Sequence, residues 1–257
     1  MKDVQSERDY RNIALKKVGI NNLKWPVTVM DKSEGIQHTI ATISLSVDLP
    51  HEVRGTHMSR FVETASQMKS INPKDLEIML EELREKLDAG VAHCSIEFDY
   101  FIKKPSPVTG IVSPYDVRCR FEGEKSSDEF KFFMGVKVPV STLCPCSKEI
   151  SDFGAHNQRA LIDINVDMKR LIWIEDIVSI AEESGSAPVY SLLKRKDEKW
   201  VTEKAYLNPR FVEDVAREVA IRLEDNPDIR WYSVGVESIE SIHNHNAFAY
   251  TEKGCSI

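Results

Sequence analysis

Glycine and proline are scarce in this sequence, 11 of each among 257 residues, which excludes a collagen-like or low-complexity chain. No stretch approaches the roughly 18 apolar residues that a membrane-crossing helix needs. Met1–Tyr10 carries both charge signs and no apolar core, so it is not read as a signal peptide. Cysteine is also sparse. Cys94, Cys119, Cys144, Cys146 and Cys255 are too few for a disulfide scaffold and odd in number, and a reducing, cytoplasmic compartment is expected. Three familiar signatures are missing: the Gly-x-x-x-x-Gly-Lys phosphate loop, Gly-x-Gly-x-x-Gly after a strand, and the Gly-x-Ser-x-Gly elbow. A net charge of −7 disfavours nucleic acid and anionic membranes as partners. A nucleotide ligand would need a local basic cluster.

What is present is ordinary globular patterning. The first thirty-odd residues show no sustained period and are expected to form an irregular arm. Ile43, Leu45, Val47 and Leu49 alternate with polar residues as a half-buried strand does. A helix is predicted from about Ser59 to Met68. A second opens at Asn72-Pro73, with Asn as cap and Pro at the first helical position, and carries Leu76, Met79, Leu80, Leu83 and Leu87 on one stripe. Strands follow around Ala92–Ile102, Val117–Phe121 and Phe130–Val140, with antiparallel neighbours. Periodicity lapses from Ser141 to Arg159. A strand resumes at Ile162, and a helix is predicted near Ile174–Glu182. Ser184–Leu207 is poorly patterned. Asn208-Pro209 repeats the Asn-Pro helix start, and strands from about Arg230 and Asn246 finish the chain. The order suggests two α+β halves, about 36–140 and 160–252, each with helices on one face of an antiparallel sheet.

Chemistry concentrates in a few segments. Cys144-Pro-Cys146 follows the longest strand, and its two thiols are expected on the same side. An inert pair in a surface loop is the plainer reading, but exposed paired thiols oxidise unless something uses them. His156 lies in the same inter-strand segment. A lone histidine is usually just hydrogen-bonded, yet a thiolate and an imidazole there can share one divalent ion, with further ligands from elsewhere. The spacing is not that of a four-ligand zinc finger. Glu198 sits in the charge run Lys194–Lys199, ordinarily a solvated loop. Glu213 falls in the second turn of the helix begun at Asn208-Pro209, at the margin of its apolar stripe. Glu240, His243 and His245 crowd a stretch too polar for a usual hairpin, and His57 completes the polar clusters.

Together, Arg54-Gly-Thr-His-Met-Ser-Arg60, Leu143-Cys-Pro-Cys-Ser-Lys148, Gly154-Ala-His-Asn-Gln-Arg159, Asn208-Pro-Arg-Phe-Val-Glu-Asp214 and Glu240-Ser-Ile-His-Asn-His-Asn246 resemble the type IB GTP cyclohydrolase family over nearly the whole chain. The resemblance implies the tunnelling fold: two modules per chain, antiparallel sheets backed by paired helices, assembling as a homotetramer with barrels and inter-subunit active sites. It implies hydrolysis of GTP to formate and 7,8-dihydroneopterin triphosphate, the first step toward folate. By the same resemblance Cys144, His156 and Glu198 hold one divalent metal (zinc, manganese or ferrous iron), Glu213 is the acid/base carboxylate, Glu240 anchors the purine and His243 transfers a second proton. Lys148 and Arg159, with Arg195 and Lys204, are the candidates for the triphosphate. The alternatives are another tunnelling-fold enzyme acting on a pterin or deazapurine, such as a nitrile reductase, or a silent metal- or nucleotide-binding protein.

Overall fold

The computed structural model describes Gln5, residues 7–68 and residues 70–254, so Cys255 lies outside the described residues. The first half of the chain runs β1 (Leu15–Asp31), β2 (Gly35–Leu49), α1 (Met58–Gln67), β3 (Ser70–Ile71), α2 (Pro73–Lys86), β4 (Val91–Pro105), β5 (Val112–Ser126) and β6 (Phe130–Leu143). The second runs α3 (Pro145–Ile150), β7 (Asn157–Met168), α4 (Ile174–Ser184), β8 (Ala187–Pro188), α5 (Arg195–Leu207), α6 (Val212–Glu224), β9 (Ile229–Ser238) and β10 (Ala247–Glu252). Two compact units result. One takes the chain up to Asp99 plus Arg120–Met134, the other Tyr100–Cys119 plus the chain from Gly135 onward. β4, β5 and β6 thus contribute part of their length to each.

In the first unit β1 and β2 form a long antiparallel hairpin from Asp31↔Gly35 to Leu15↔Leu49. This corrects the expected irregular arm. The register slips between Leu15 and Val18 and again between Ile20 and Leu23, so the apolar phase breaks twice and no single period runs through β1. At Gly19 the strands approach so closely that any Cβ would lie 1.9 Å from the Leu45 carbonyl oxygen. Only glycine fits there. α2 starts as its sequence predicts: the Asn72 Oδ1 accepts from Asp75 N at 3.0 Å, with Pro73 at the first helical position. Leu76, Leu80 and Leu83 on its stripe are fully buried, each contributing about 1.5–3 kcal/mol of burial.

The second unit holds the antiparallel set β7–β9–β10, paired continuously from Ala160↔Ser238 to Asp167↔Trp231 and from Ala247↔Ser238 to Glu252↔Ser233. Ile162, Ile164, Val234 and Val236 point inward and are buried. α6 packs on β9, β10 and α4, presenting buried Val215, Ala216, Val219 and Leu223.

Two sequence expectations change here. The second Asn-Pro pair does not open a helix. Asn208 ends α5, its backbone N donating to Lys204 O at 3.1 Å and its side chain to Gly185 O at 3.0 Å, while α6 begins at Val212 with Phe211 as cap. The Asn208 Oδ1, the atom a cap would use, accepts instead from Arg210 Nε at 3.1 Å. The poorly patterned stretch and its charge run conceal α5, whose buried residues are only Asp197 and Ala205. With no apolar stripe, periodicity had nothing to register.

Asp197 is what fixes the start of α5. Its carboxylate accepts from Val108 N and Thr109 N at 2.8 Å each, from Thr109 Oγ1 at 2.7 Å and from Lys194 N at 2.9 Å. Burial pushes this carboxyl's pKa up, but the hydrogen bonds from Thr109, Lys194 and Val108 outweigh it and hold the group well below the usual carboxylate range. A depressed folded-state pKa contributes stability above the unfolded value of about 3.9, and that stability is lost as pH falls through the folded value. Asp197→Asn should therefore lower Tm by several degrees at pH 7, with the gap to the unmodified protein narrowing below about pH 4. Thermal melts across pH 7 to 3 would read this, and a gap independent of pH would refute it.

Candidate active site

In the second unit, the ends of β6, β7, β9 and β10 and the start of α6 surround a cleft of about 490 Å³. β6 delivers Cys144 to it, β7 His156 and Gln158, β9 Ser238 and Glu240, and the first turn of α6 Glu213.

The segment between β6 and β7 folds back on itself. Cys144 N donates to His156 O at 3.1 Å, closing the loop between them. Ser147 reinforces the closure, its Oγ donating to Cys144 O at 3.2 Å and accepting from His156 N at 3.2 Å. Pro145 opens α3, and Cys144 is its cap, with Sγ accepting from Ser147 N at 3.4 Å. This corrects the expectation that both thiols share a side. Cys144 lines the cleft, whereas Cys146, inside the helical turn, is exposed and does not. Cys94 and Cys119 are buried, and burial pushes the Cys94 thiol up to about 12.

His156 leads into a chain of polar contacts. Its Nδ1 lies 2.9 Å from Gln158 Oε1, while Gln158 Nε2 donates to Glu240 Oε1 at 3.4 Å. An amide oxygen only accepts, so Nδ1 carries the proton and Nε2 offers its lone pair outward. Ser241 Oγ stands 3.5 Å from both His156 Nδ1 and Gln158 Oε1. The sheet dictates this arrangement. Ile239 N donates to Arg159 O at 2.9 Å, continuing the β7–β9 pairing past Ala160↔Ser238 and setting Gln158 opposite Glu240.

Opposite that face stands the start of α6. Glu213 is its second residue, in the first turn rather than the second, and its side chain is exposed to the cleft. Arg210 braces this wall through its backbone N to Leu143 O at 3.0 Å and its guanidinium to Glu218 at 3.2 Å. His243 and His245 complete the rim as a stacked pair, ring centroids 5.2 Å apart and 13° from parallel.

The structure therefore gathers Cys144, His156, Glu213, Glu240 and His243 around one cleft. Glu198, Lys148 and Arg159 do not line it. Glu198 is exposed in the first turn of α5, a helix rather than the solvated loop its charge run suggests. Lys148 donates to Tyr206 O at 2.6 Å and lies over the Tyr206 ring. Arg159 alternates to the other face of β7 and is exposed. Arg210, Gln158 and Ser238 were not singled out by sequence reasoning. The first two sit inside the quoted motif segments, where proximity to Glu213 and His156 was the available signal. Ser238 carried none.

As a test of fit for a divalent metal, Cys144 and His156 supply a sulfur and an imidazole nitrogen on adjacent backbone, the latter already oriented by Gln158 as metal-binding histidines usually are. Among the described residues, no three His, Cys, Asp or Glu side chains cluster closely enough to hold an ion. The pair fits as part of a donor set.

Comparison with known proteins decides the family. The model described as type I GTP cyclohydrolase folE2 matches residues 1–249. The chain belongs to that family. It is 58% identical over 254 residues to the GTP cyclohydrolase FolE2 of Thermotoga maritima, covering 99% of this chain and 98% of that protein. To the FolE2 of Caldicellulosiruptor saccharolyticus it is 55% identical over 252 residues, 98% of each. Among solved structures it resembles the uricase of Arthrobacter globiformis, with TM-score 0.56, 8% identity and coverage of 94% and 95%. The urate oxidase of Bacillus sp. TB-90 aligns with TM-score 0.52 and 9% identity over 93% and 99%. At such identities the likeness speaks to fold alone, and the fold is the α+β tunnelling fold expected from the sequence.

Proposed function

We propose that this cleft seats the guanine ring of GTP and carries the proton transfers of its hydrolysis to 7,8-dihydroneopterin triphosphate and formate. Family membership makes the protein a GTP cyclohydrolase of folate biosynthesis. The observation that carries the reading for these residues is the convergence of Cys144, His156, Glu213, Glu240 and His243 on one cleft.

Each role follows from chemistry and position. Glu240, half-buried and held by Gln158, accepts from N1–H and the 2-amino group of guanine, a donor pair that adenine lacks. Leaving such a carboxylate unpaired is costly, so the wrong base is rejected. His243 on the rim protonates N7, which makes C8 electrophilic, and Glu213 takes the proton from the attacking water. Cys144 and His156 would hold a divalent ion, with Glu198 as a further ligand. Zinc, manganese and ferrous iron all suit such a set, and such an ion would supply the Lewis acidity that makes water a nucleophile near neutral pH. Because Glu198 lies outside the cleft lining of its own chain, the reading includes assembly, with a second copy completing the site within a homotetramer. The triphosphate is met by cations, Lys148 and Arg159 among them, presented across that assembly. A metal-versatile IB subtype and a reducing, cytoplasmic setting belong to the same reading, supported by four free cysteines among the described residues.

Incubating the protein with GTP and each metal, then following formate and a fluorescent pterin after oxidation, tests this directly. Formate and pterin are expected in equal amounts. NADPH consumption without metal would point instead to a reductase on a deazapurine, and binding without turnover to a silent protein.

A further inference from the structure

Ser238 closes β9 at the inner end of the cleft. It is 1% exposed and lines the cavity, yet its Oγ has no hydrogen-bond partner. The alternation along β9 assigns this position to the apolar face, since Val234 and Val236 before it are buried. A hydroxyl placed there stays unsatisfied in the free protein, a cost that a polar atom of a ligand removes. On the neighbouring strands Ala160 and Ala247 pair with it directly, neither with a side chain beyond Cβ.

Glu240 lies two residues further on, on the same face, because the pairing of Ile239 with Arg159 keeps the backbone extended. A carboxylate only accepts, whereas a hydroxyl with no acceptor in the protein keeps its proton for the ligand. The Watson–Crick edge of guanine presents the complement: the acceptor O6 beside the donors N1–H and N2–H. Resting on the guanine reading above, we propose that Ser238 Oγ donates to O6 of the bound base, next to the two bonds accepted by Glu240. Ser238 then reads the six-oxo group while Glu240 reads the 2-amino group, and the two select the base independently.

The test uses the full-length, metal-loaded enzyme with GTP, 6-thio-GTP and inosine triphosphate. Sulfur at position 6 is a poor acceptor, and inosine lacks the 2-amino group. Ser238→Ala should raise KM for GTP about tenfold, the loss of one hydrogen bond from a neutral donor, with a smaller change in kcat. For 6-thio-GTP the variant and the unmodified enzyme should behave alike. The preference for GTP over inosine triphosphate, which reads Glu240, should persist. Without ligand, Tm of the variant should equal or exceed that of the unmodified protein, because an orphaned hydroxyl has been removed. An unchanged KM for GTP would overturn the contact, as would equal losses on GTP and 6-thio-GTP with a lowered Tm, which would mark a structural role. If the unmodified enzyme does not turn over GTP at all, the guanine reading fails and the contact falls with it.

Discussion

Replacing Cys144 by alanine should reduce formate release at least about 10³-fold, since an ion that activates water contributes several kcal/mol to the barrier. Bound metal, measured by elemental analysis of the purified protein, should fall in parallel. The fold should survive. Cys144 is a half-exposed cap on a six-residue helix, and losing the Ser147 N–H to Sγ contact costs about 1 kcal/mol, as for other helix caps. Cys144→Ser separates the two roles. A hydroxyl restores the cap acceptor but is a poor substitute for a thiolate, so Tm should recover while metal and turnover do not. Near-normal formate release from either variant would show that Cys144 holds no essential ion.

The second large effect is expected at Glu240. Glu240→Ala removes two charge-assisted hydrogen bonds, each about 1.5–3 kcal/mol, and should weaken GTP binding on the order of 10²- to 10⁴-fold. Its preference for GTP over inosine triphosphate should collapse as well, because no acceptor for the 2-amino group is left. Gln158 loses its acceptor at the same time, but its amide oxygen still faces His156 Nδ1, so metal content should hold. Isothermal titration with both nucleotides, alongside metal analysis, reads these outcomes. Undiminished GTP affinity would remove Glu240 from the base-recognition role.

How far the sequence discloses such a site depends on whether a residue's placement follows from a repeating pattern. Strands β2, β4, β6 and β7 and the stripe of α2 were legible because each buries one face at a fixed period. β1 was not, since two register slips scramble its phase. Nor was α5, whose interior contact is a carboxylate bound to a turn nearly ninety residues away in sequence. Asn72 and Asn208 make the same point in miniature. Both precede proline, yet one caps a helix and the other bonds loop carbonyls, a choice made by tertiary partners. At the site, motif segments named Cys144, His156, Glu213, Glu240 and His243. The Gln158 relay required the cross-strand register, and Ser238 required knowing which face of β9 ends in an open cavity.

The Asp197 clamp bears on anyone wishing to splice a reporter into this protein. The Ser106–Ile111 bend between β4 and β5 is a surface hairpin tip that would invite insertion, with Gly110 at φ +68°. Val108 and Thr109 nevertheless grip the root of the helix that carries Glu198, so a peptide tag spliced there would be transmitted to α5. The bend from Ser126 to Glu129 satisfies itself through Ser126 N to Glu129 O and Glu129 N to Ser126 Oγ. A label inserted at that second bend should go unnoticed by the enzyme.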